Sequence, residues 1–307
     1  MYLSAILPKS LIYLWYAVRY PNLKDFVDMG LGIEARHSRC RKEWARHLRA
    51  TQDFQGEVLS SVSRDLGRPL TTVILGAGRL LDVNLDALDA FSKEVLCVDA
   101  DPSAKNFALS KLGSLKKVSR ISYEVQEITH SLSEWSEALN KIRSEGEASA
   151  FLLSVRAESQ KEAPWQGDVM CSLNLLSQIP LYWRDRVVEF VEKKLDIHPH
   201  DLGDFKEPLQ SALKGSMREL QRSHLELLNR SGARSILLIT DTQFEYYREG
   251  ETFLIEPALY VSVLDELSFY SEVRSQEWTW EIAPQGIEQK EFGVRHRVRA
   301  LELLKKG

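Results

Sequence analysis

Cysteine is scarce in this 307-residue chain, and its three cysteines lie far apart. Cys40, Cys97 and Cys171 form neither a zinc-binding spacing nor a disulfide framework. The sequence therefore predicts no metal centre, and it favours a reducing, cytoplasmic setting. Cys97 and Cys171 fall in apolar runs that we expect to be buried strands.

Long apolar runs are also missing, so the sequence predicts no transmembrane segment. Residues 11–18 (LIYLWYAV) are too few to cross a bilayer, and Arg19 ends the run. No basic start leads into a small-residue cleavage site, so we expect no signal peptide. The aromatic content of the run favours packing on the core, or against a second copy in a homodimer, over contact with a membrane surface.

The chain has no excess of positive charge, with 40 basic and 44 acidic residues and a formal net charge of -4. This balance argues against a general polyanion-binding protein. A basic stripe between Arg36 and Arg49 is interrupted by acidic residues such as Glu43, which favours a solvated helix face. Nucleic acid is therefore not the expected partner, and RNA contact through this stripe is the weaker alternative.

The most informative pattern lies between residues 71 and 102. An apolar run, Val73–Leu75, leads into Gly76-Ala77-Gly78, and a helix-length segment follows. A second apolar run, Val95–Val98, stops at Asp99. This strand, glycine turn, helix and strand form a βαβ arrangement that holds adenosine-containing cofactors. The glycines let the backbone approach the ligand closely, and the carboxylate can accept both ribose hydroxyls.

Two other nucleotide-binding motifs do not fit this pattern. A dinucleotide fingerprint requires a third glycine where this chain has Leu81, which counts against an NAD-dependent oxidoreductase. The lysine and hydroxyl pair of a P-loop is missing after Gly78.

The pattern resembles the class I S-adenosylmethionine (SAM)-dependent methyltransferases. The expected order of helices and strands is similar to that of the family over roughly residues 71–304. In that family a glycine turn follows strand one, an acidic residue ends strand two, and an acidic residue near the end of strand three meets the adenine. The loop after strand four commonly faces the transferred methyl group. The resemblance therefore implies SAM as cofactor and the following cofactor-binding residues: Gly76, Ala77, Gly78, Asp99, Ala100, Glu127, Ile128, Ser172 and Asn174.

The chain departs from the family pattern at two positions. Many members carry an acidic residue where this chain has Ile74, and a third glycine where it has Leu80. Asp82 could replace the first, although a solvated residue or a local cap is the simpler interpretation. The missing acid supports an alternative function, a catalytically inactive methyltransferase-like binding module.

The remaining pattern predicts an α/β fold: a doubly wound, mostly parallel sheet with a C-terminal antiparallel hairpin, plus an N-terminal helical extension. We expect residues 1–66 to form the extension, with interruptions near Pro21 and near Gly30 and Gly32, and residues 67–307 to form the SAM-binding domain. Strand four is expected within residues 168–173. Strand five is expected at residues 235–239, closing at Thr240-Asp241. The hairpin is expected from alternation in residues 276–282 and 292–300, with Trp278 and Trp280 on one side.

Polar residues after strand four are the candidates for the reacting end of the site. Asn174 and Gln178 are the first choices, and His198 and His200 are candidate general bases. The two histidines lack standard zinc spacing, so a metal role is disfavoured. The Asn-Pro-Pro-Tyr type signature is missing, which disfavours a DNA adenine methyltransferase.

The expected function is methyl transfer from SAM to a small-molecule or lipid-like acceptor. Alignment and desolvation can supply much of the catalysis, and a base is needed only if the acceptor must lose a proton. Aromatic residues before strand one are expected either to shape the acceptor pocket or simply to pack against the sheet's helices or a second subunit. These residues are Tyr13, Trp15, Tyr16 and Trp44.

Overall fold

The computed structural model describes residues 9–129, 131–156, 165–195 and 207–307. The helices are α1 (Lys9–Arg19), α2 (Lys24–Arg39), α3 (Arg41–Leu66), α4 (Leu85–Phe91), α5 (Ala104–Leu112), α6 (Leu132–Leu139), α7 (Glu145–Ser154), α8 (Leu175–Leu195), α9 (Leu209–Arg230) and α10 (Val263–Glu266). The strands are β1 (Leu70–Leu75), β2 (Ser92–Asp99), β3 (Arg120–Val125), β4 (Val169–Leu173), β5 (Ser235–Arg248), β6 (Glu251–Pro257), β7 (Tyr270–Ala283) and β8 (Gly293–Lys305).

The described strands form one sheet in the order β3-β2-β1-β4-β5-β8-β7, with β6 paired to β5. The pairings from β3 through β5 are parallel, and those of β5 with β8 and β8 with β7 are antiparallel. The predicted fold class is therefore confirmed: a mostly parallel sheet, a C-terminal antiparallel hairpin and N-terminal helices. In such a sheet the carboxyl ends of β1, β2 and β4 meet at one edge, where ligands bind.

The N-terminal helices differ from the prediction at one point. Pro21 opens a short 3-10 turn between α1 and α2, so the interruption predicted there is confirmed. The interruption predicted at Gly30 and Gly32 is wrong, because α2 runs through both and ends before Cys40. A Cβ at Gly30 would lie 2.0 Å from Asp101 Oδ2, so close packing of α2 requires this glycine. Among the described helices, none is long and apolar enough to cross a membrane.

Strand five is longer than predicted. It does not close at Asp241 but continues to Arg248, because residues 243–247 pair with both β6 and β8 and Arg248 pairs with β6. Asp241 therefore lies within a strand, fully buried, rather than in a loop at the sheet edge.

Helix α3 packs on one face of the sheet. Trp44 and Phe54 share a buried apolar cluster with residues of β1, β2 and β4 and with Trp278 and Trp280 of β7. Trp44 Nε1 donates a hydrogen bond to the Ile282 carbonyl, 3.1 Å away. Trp278 and Trp280 lie on one side of β7, as predicted, and both are buried there. The division into domains at residues 66 and 67 stays a prediction.

Candidate functional site

A cavity of about 280 Å³ opens at the carboxyl ends of β1, β2 and β4. Its floor is the segment that links β1 to α4, and its side wall is the start of α8. Helix α2 lies across it and contributes Phe26, Met29, Gly30 and Ile33 to its lining. The cavity thus lies between the sheet edge and the N-terminal helices and is partly open to solvent.

The glycine turn has the backbone conformation that its sequence suggests. Gly76 and Gly78 have φ angles of +73° and +44°, in the left-handed region that glycine enters at little cost. A Cβ on Gly76 would lie 3.2 Å from the Leu173 carbonyl oxygen, and one on Gly78 would lie 3.9 Å from Asp99 Oδ2. Leu80 also has a positive φ of 56°. The turn therefore keeps a left-handed residue at the position where the family pattern has a third glycine.

Asp99 is fixed by the backbone around it. The Gly78 amide donates to Asp99 Oδ2 and the Asp101 amide to Oδ1, both at 2.8 Å. Burial raises the pKa of Asp99, and these two backbone hydrogen bonds oppose the rise. Each carboxylate oxygen can accept a further hydrogen bond, and Asp99 lines the cavity. Asp99 can therefore accept hydroxyl donors from a ligand without moving.

A second carboxylate, Asp82, lies on the same side of the cavity. Asn174, in the left-handed region at φ 54°, directs its Nδ2 to Asp82 Oδ2 over 3.1 Å. Burial raises the pKa of Asp82 to about 6. Asn174 Oδ1 is buried and has no hydrogen-bond partner among the described residues. Asp82 therefore lines the cavity and has a side-chain partner in Asn174, and its role as a ligand-binding residue stays a prediction.

The polar lining of the cavity is mainly acidic. Burial also raises the pKa of Asp101 to about 6. Glu127 accepts hydrogen bonds from Thr129 Oγ1 and, at 3.5 Å, from the Leu132 amide. The charged residues of the lining are Asp82, Asp99, Asp101, Glu127, Arg36 and Arg79. A partly enclosed site in which carboxylates outnumber guanidinium groups favours a cationic ligand over an anionic one.

An apolar wall faces the glycine turn from α2, α3, α8 and β7. Phe26 and Tyr182 stack with ring centroids 4.8 Å apart, and the rings of His47 and Trp280 stack at 4.0 Å. Trp278 Nε1 donates to His47 Nδ1 over 3.0 Å. Burial lowers the pKa of His47 to about 3, so its ring is neutral near pH 7. This wall suits an apolar group and excludes water.

Gln178 projects from this wall and is held by a buried carboxylate. Its Nε2 donates to Asp241 Oδ2 at 3.2 Å, and Ser177 Oγ donates to the same oxygen at 2.9 Å. His296 Nδ1 lies 3.1 Å from that oxygen. Burial alone would raise the pKa of Asp241, but His296 and the Ser177 hydroxyl lower it below its usual value. Asp241 therefore fixes the orientation of the Gln178 amide.

The structure brings most of the predicted site residues together around this cavity. Those that line it are Gly76, Ala77, Gly78, Asp99, Ala100, Glu127, Ile128, Asn174 and Gln178. Ser172 does not line it: its hydroxyl is buried and hydrogen-bonded to His224 Nε2 at 2.8 Å. His198 and His200 lie outside the described residues.

The structure also adds residues that sequence reasoning missed. These are Asp101, which had no signal beyond its closeness to Asp99, and His47, for which no role was predicted. Asp82 was predicted only as the less favoured substitute for the missing acidic residue, and Trp280 only to share one side of the hairpin with Trp278. Of the aromatic residues before strand one, Trp44 lines the cavity, whereas Tyr13, Trp15 and Tyr16 lie outside its lining. Helix α2, rather than α1, covers the site.

No family model matches the chain, and no curated protein matches it. Similar solved structures include the N-methyltransferase NodS from Bradyrhizobium japonicum in complex with S-adenosylhomocysteine (SAH), which is 9% identical with a TM-score of 0.38. That match covers 84% of this chain and 88% of NodS. Magnesium protoporphyrin IX methyltransferase from Synechocystis is also similar. With bound SAM it is 12% identical, with coverages of 98% and 99% and a TM-score of 0.39. With bound SAH it is 10% identical, with coverages of 97% and 99% and a TM-score of 0.40.

Proposed function

We propose that this protein binds SAM at the glycine turn and transfers its methyl group to a small-molecule or lipid-like acceptor. The observation that carries the proposal is the cavity-facing carboxylate of Asp99, held at 2.8 Å by the Gly78 amide. A fixed carboxylate beside a left-handed glycine turn suits the two ribose hydroxyls of an adenosine group.

The charge of the lining supports SAM over a dinucleotide. SAM carries a sulfonium and an ammonium group against one carboxylate, whereas the pyrophosphate of NAD is anionic. The carboxylates of Asp82, Asp99 and Asp101 all face the cavity, and the Leu81 side chain lines it beside the turn. In this partly enclosed site an anionic pyrophosphate would meet net repulsion, and a cation would meet attraction.

The residues around the cavity would have separate roles in methyl transfer. Bound SAM would supply an electrophilic methyl group with a good leaving group, so alignment of the acceptor is the main requirement. Gln178, oriented by Asp241, offers a polar group that can position the acceptor. The wall formed by Trp44, Trp280 and Tyr182 would exclude water from the reacting atoms.

The enclosure by α2 supports a small acceptor. Phe26, Met29 and Ile33 of α2 line the same cavity as the glycine turn, and this narrowed space favours a small acceptor over a folded macromolecule. The aromatic and aliphatic wall suits an acceptor with an apolar body and one polar group for Gln178.

A binding module without catalysis is the second candidate, and Ile74 favours it. Ile74 is buried in the core, so strand one offers no acidic side chain to the cavity. The two candidates share SAM binding and differ in turnover.

Calorimetry with SAM, SAH and NAD tests the shared step. We expect SAM and SAH to bind, NAD not to bind, and Asp99→Ala to weaken SAM and SAH by about 1.5–3 kcal/mol, because the ribose hydroxyls lose a charged acceptor. The exposed Asp86 offers a matched control, and Asp86→Ala should bind as the wild type does. Absence of heat with SAM and SAH on folded protein would overturn the proposal.

Radiolabelled SAM then separates an enzyme from a binding module. Incubation with a small-molecule extract should yield a labelled product for an enzyme, at a rate that Gln178→Ala lowers. A protein that binds SAM but labels no component of the extract would favour the binding module.

A further inference from the structure

The outward face of α1 carries an exposed apolar stripe. Its members are Leu11, Leu14, Trp15 and Val18, and between 48% and 77% of each side chain is exposed. A helix turns about 100° per residue, so positions i, i+3, i+4 and i+7 lie within about 100° of one another. The four side chains therefore form one continuous strip. Single exposed apolar residues are common, but a contiguous strip on a helix indicates a contact surface.

The opposite face of α1 is turned inward. Tyr13 and Tyr16 are partly buried, and the rings of Tyr16 and Tyr20 stack with their centroids 6.3 Å apart. Burial and then the charge of Asp101 raise the pKa of Tyr16, and Asp101 lines the cavity. The tyrosines of α1 thus face the cavity side of the molecule, whereas the stripe remains exposed to solvent.

The charge around the stripe restricts its partner. The first 24 residues contain Lys9, Arg19 and Lys24 and no acidic residue, although acidic residues outnumber basic ones in the whole chain. The Arg19 guanidinium lies 5.4 Å from the centroid of the Trp15 ring, so one cation is held beside the stripe. Two copies that met through this face would bring like charges together, whereas an anionic surface would attract them.

The composition of α1 suits the surface of a phospholipid bilayer. Tryptophan and arginine favour the headgroup region, and leucine and valine can enter the boundary with the acyl chains. With 11 residues, α1 is too short to cross the hydrocarbon core and would lie in the plane of the surface. The sequence alone favours packing or a second copy for this run, but the exposure of the stripe and the charge beside it favour a membrane.

We propose that the outward face of α1 docks this protein reversibly on an anionic phospholipid membrane, with the stripe in the interface. This inference goes beyond the proposed function and requires no bound cofactor. Because the inward face of the same helix lies near Asp101 of the cavity lining, docking would hold the cavity close to the membrane. A lipid-like acceptor would be found there.

Flotation with lipid vesicles tests the docking surface. The wild type should float with phosphatidylcholine vesicles that contain about 30% phosphatidylserine, and less with phosphatidylcholine alone or at high salt. Leu14→Glu should lower the partition coefficient by at least about tenfold, because the leucine contact is lost and a carboxylate opposes entry into the interface. Arg19→Gln should lower it about fivefold for the anionic vesicles and little for phosphatidylcholine, because a basic residue near the surface is attracted only by anionic lipid.

Leu153→Glu is the matched control, since Leu153 is a similarly exposed leucine on another helix, α7. It should float as the wild type does, and circular dichroism checks that each variant is folded. A wild type that does not float with the anionic vesicles, or equal losses in the two glutamate variants, would overturn the proposal. A wild-type dimer that does not float and that Leu14→Glu converts to a monomer would overturn it in favour of a second copy. None of these outcomes affects SAM binding measured by calorimetry, so the two proposals are tested separately.

Discussion

The backbone amide of Gly78 and the carboxylate of Asp99 are joined by a hydrogen bond of 2.8 Å across the ends of two parallel strands. The bond links the glycine turn after β1 to the last residue of β2. The turn therefore keeps its shape and the carboxylate keeps its direction through the same contact. This one contact thus fixes both groups that we propose for the adenosine end of the site.

Gly78→Ala tests whether that turn must stay free of side chains. The added Cβ would lie in the cavity 3.9 Å from Asp99 Oδ2, on a backbone with φ +44°. We expect SAH affinity to fall by at least about tenfold and the free energy of unfolding to fall by about 1 kcal/mol, because alanine is strained at positive φ. Calorimetry and chemical denaturation measure the two effects.

Gly146→Ala is the matched control for Gly78→Ala. Gly146 lies in the first turn of α7, where a Cβ meets open space. We expect unchanged SAH binding and a gain of about 0.5–1 kcal/mol, because alanine favours helix over glycine. Retention of full SAH affinity by Gly78→Ala would contradict the close approach of a ligand to the turn.

Asp82→Asn tests the effect of this partly buried acid on stability. The pKa of Asp82 is raised from 3.8 to about 6, so the folded protein holds this proton more tightly than the unfolded chain. The empty wild type should therefore lose stability as the pH rises from about 4 to about 6. Asparagine cannot ionise. The variant should be more stable than the wild type by about 1–3 kcal/mol at pH 7, and nearly equal to it at pH 4.

Denaturant titrations of both proteins across this pH range check the stability prediction. Asp101, whose pKa is also raised, is present in both proteins, so its contribution cancels in the difference. A stability difference that does not change between pH 4 and pH 7 would show that Asp82 keeps its ordinary pKa.

Glu288→Gln tests whether helix α2 is fastened over the cavity. Glu288, in the loop between β7 and β8, pairs with Arg36 Nε at 3.2 Å and with Arg39 Nε at 2.6 Å. The hydrogen bond from Arg39 lowers the pKa of Glu288 to about 2, so the pairs persist over the working pH range. Without this charge, α2 should move away from the cavity more often, so SAH should dissociate about two- to tenfold faster. The contacts of the adenosine group with the glycine turn and Asp99 should change little.

Stopped-flow displacement and hydrogen exchange of α2 measure that opening. Glu291→Gln alters an exposed acid in the same loop and serves as the control. If Glu288→Gln leaves both the SAH dissociation rate and the exchange of α2 unchanged, the cover of the cavity does not depend on this contact.

Asp241→Asn tests how Gln178 is positioned. Loss of the charge weakens the hydrogen bond that Gln178 Nε2 donates to residue 241 and the pairing of that residue with His296. The Gln178 amide is then free to rotate. We expect turnover with an identified acceptor to fall by about tenfold or more while SAM affinity stays within about threefold. Gln178→Ala should give the same pattern, and the double variant should be no worse than either single variant. Additive losses in the double variant would show that the two residues act separately.

The sequence by itself determined the parts of the site that depend on neighbouring residues. An apolar run followed by Gly76 and Gly78, and a second run that ends at Asp99, predict a turn and a carboxylate at one sheet edge because parallel strands align their ends. Alternation in the C-terminal segment likewise predicted the hairpin and placed Trp278 and Trp280 on one side, since side chains in strands alternate between faces.

Only the tertiary structure decided which distant residues meet. Strand alternation turns Ser172 towards His224 on α9, whereas Asn174, just past the strand end, reaches the cavity. Asp82 gains a side-chain partner in Asn174, 92 positions later in the chain. Helix α2 continues through Gly30, although glycine by itself disfavours helix. A glycine suits this position because a Cβ there would lie 2.0 Å from Asp101 Oδ2. Such contacts depend on packing between elements, and local propensity and spacing carry no information about them.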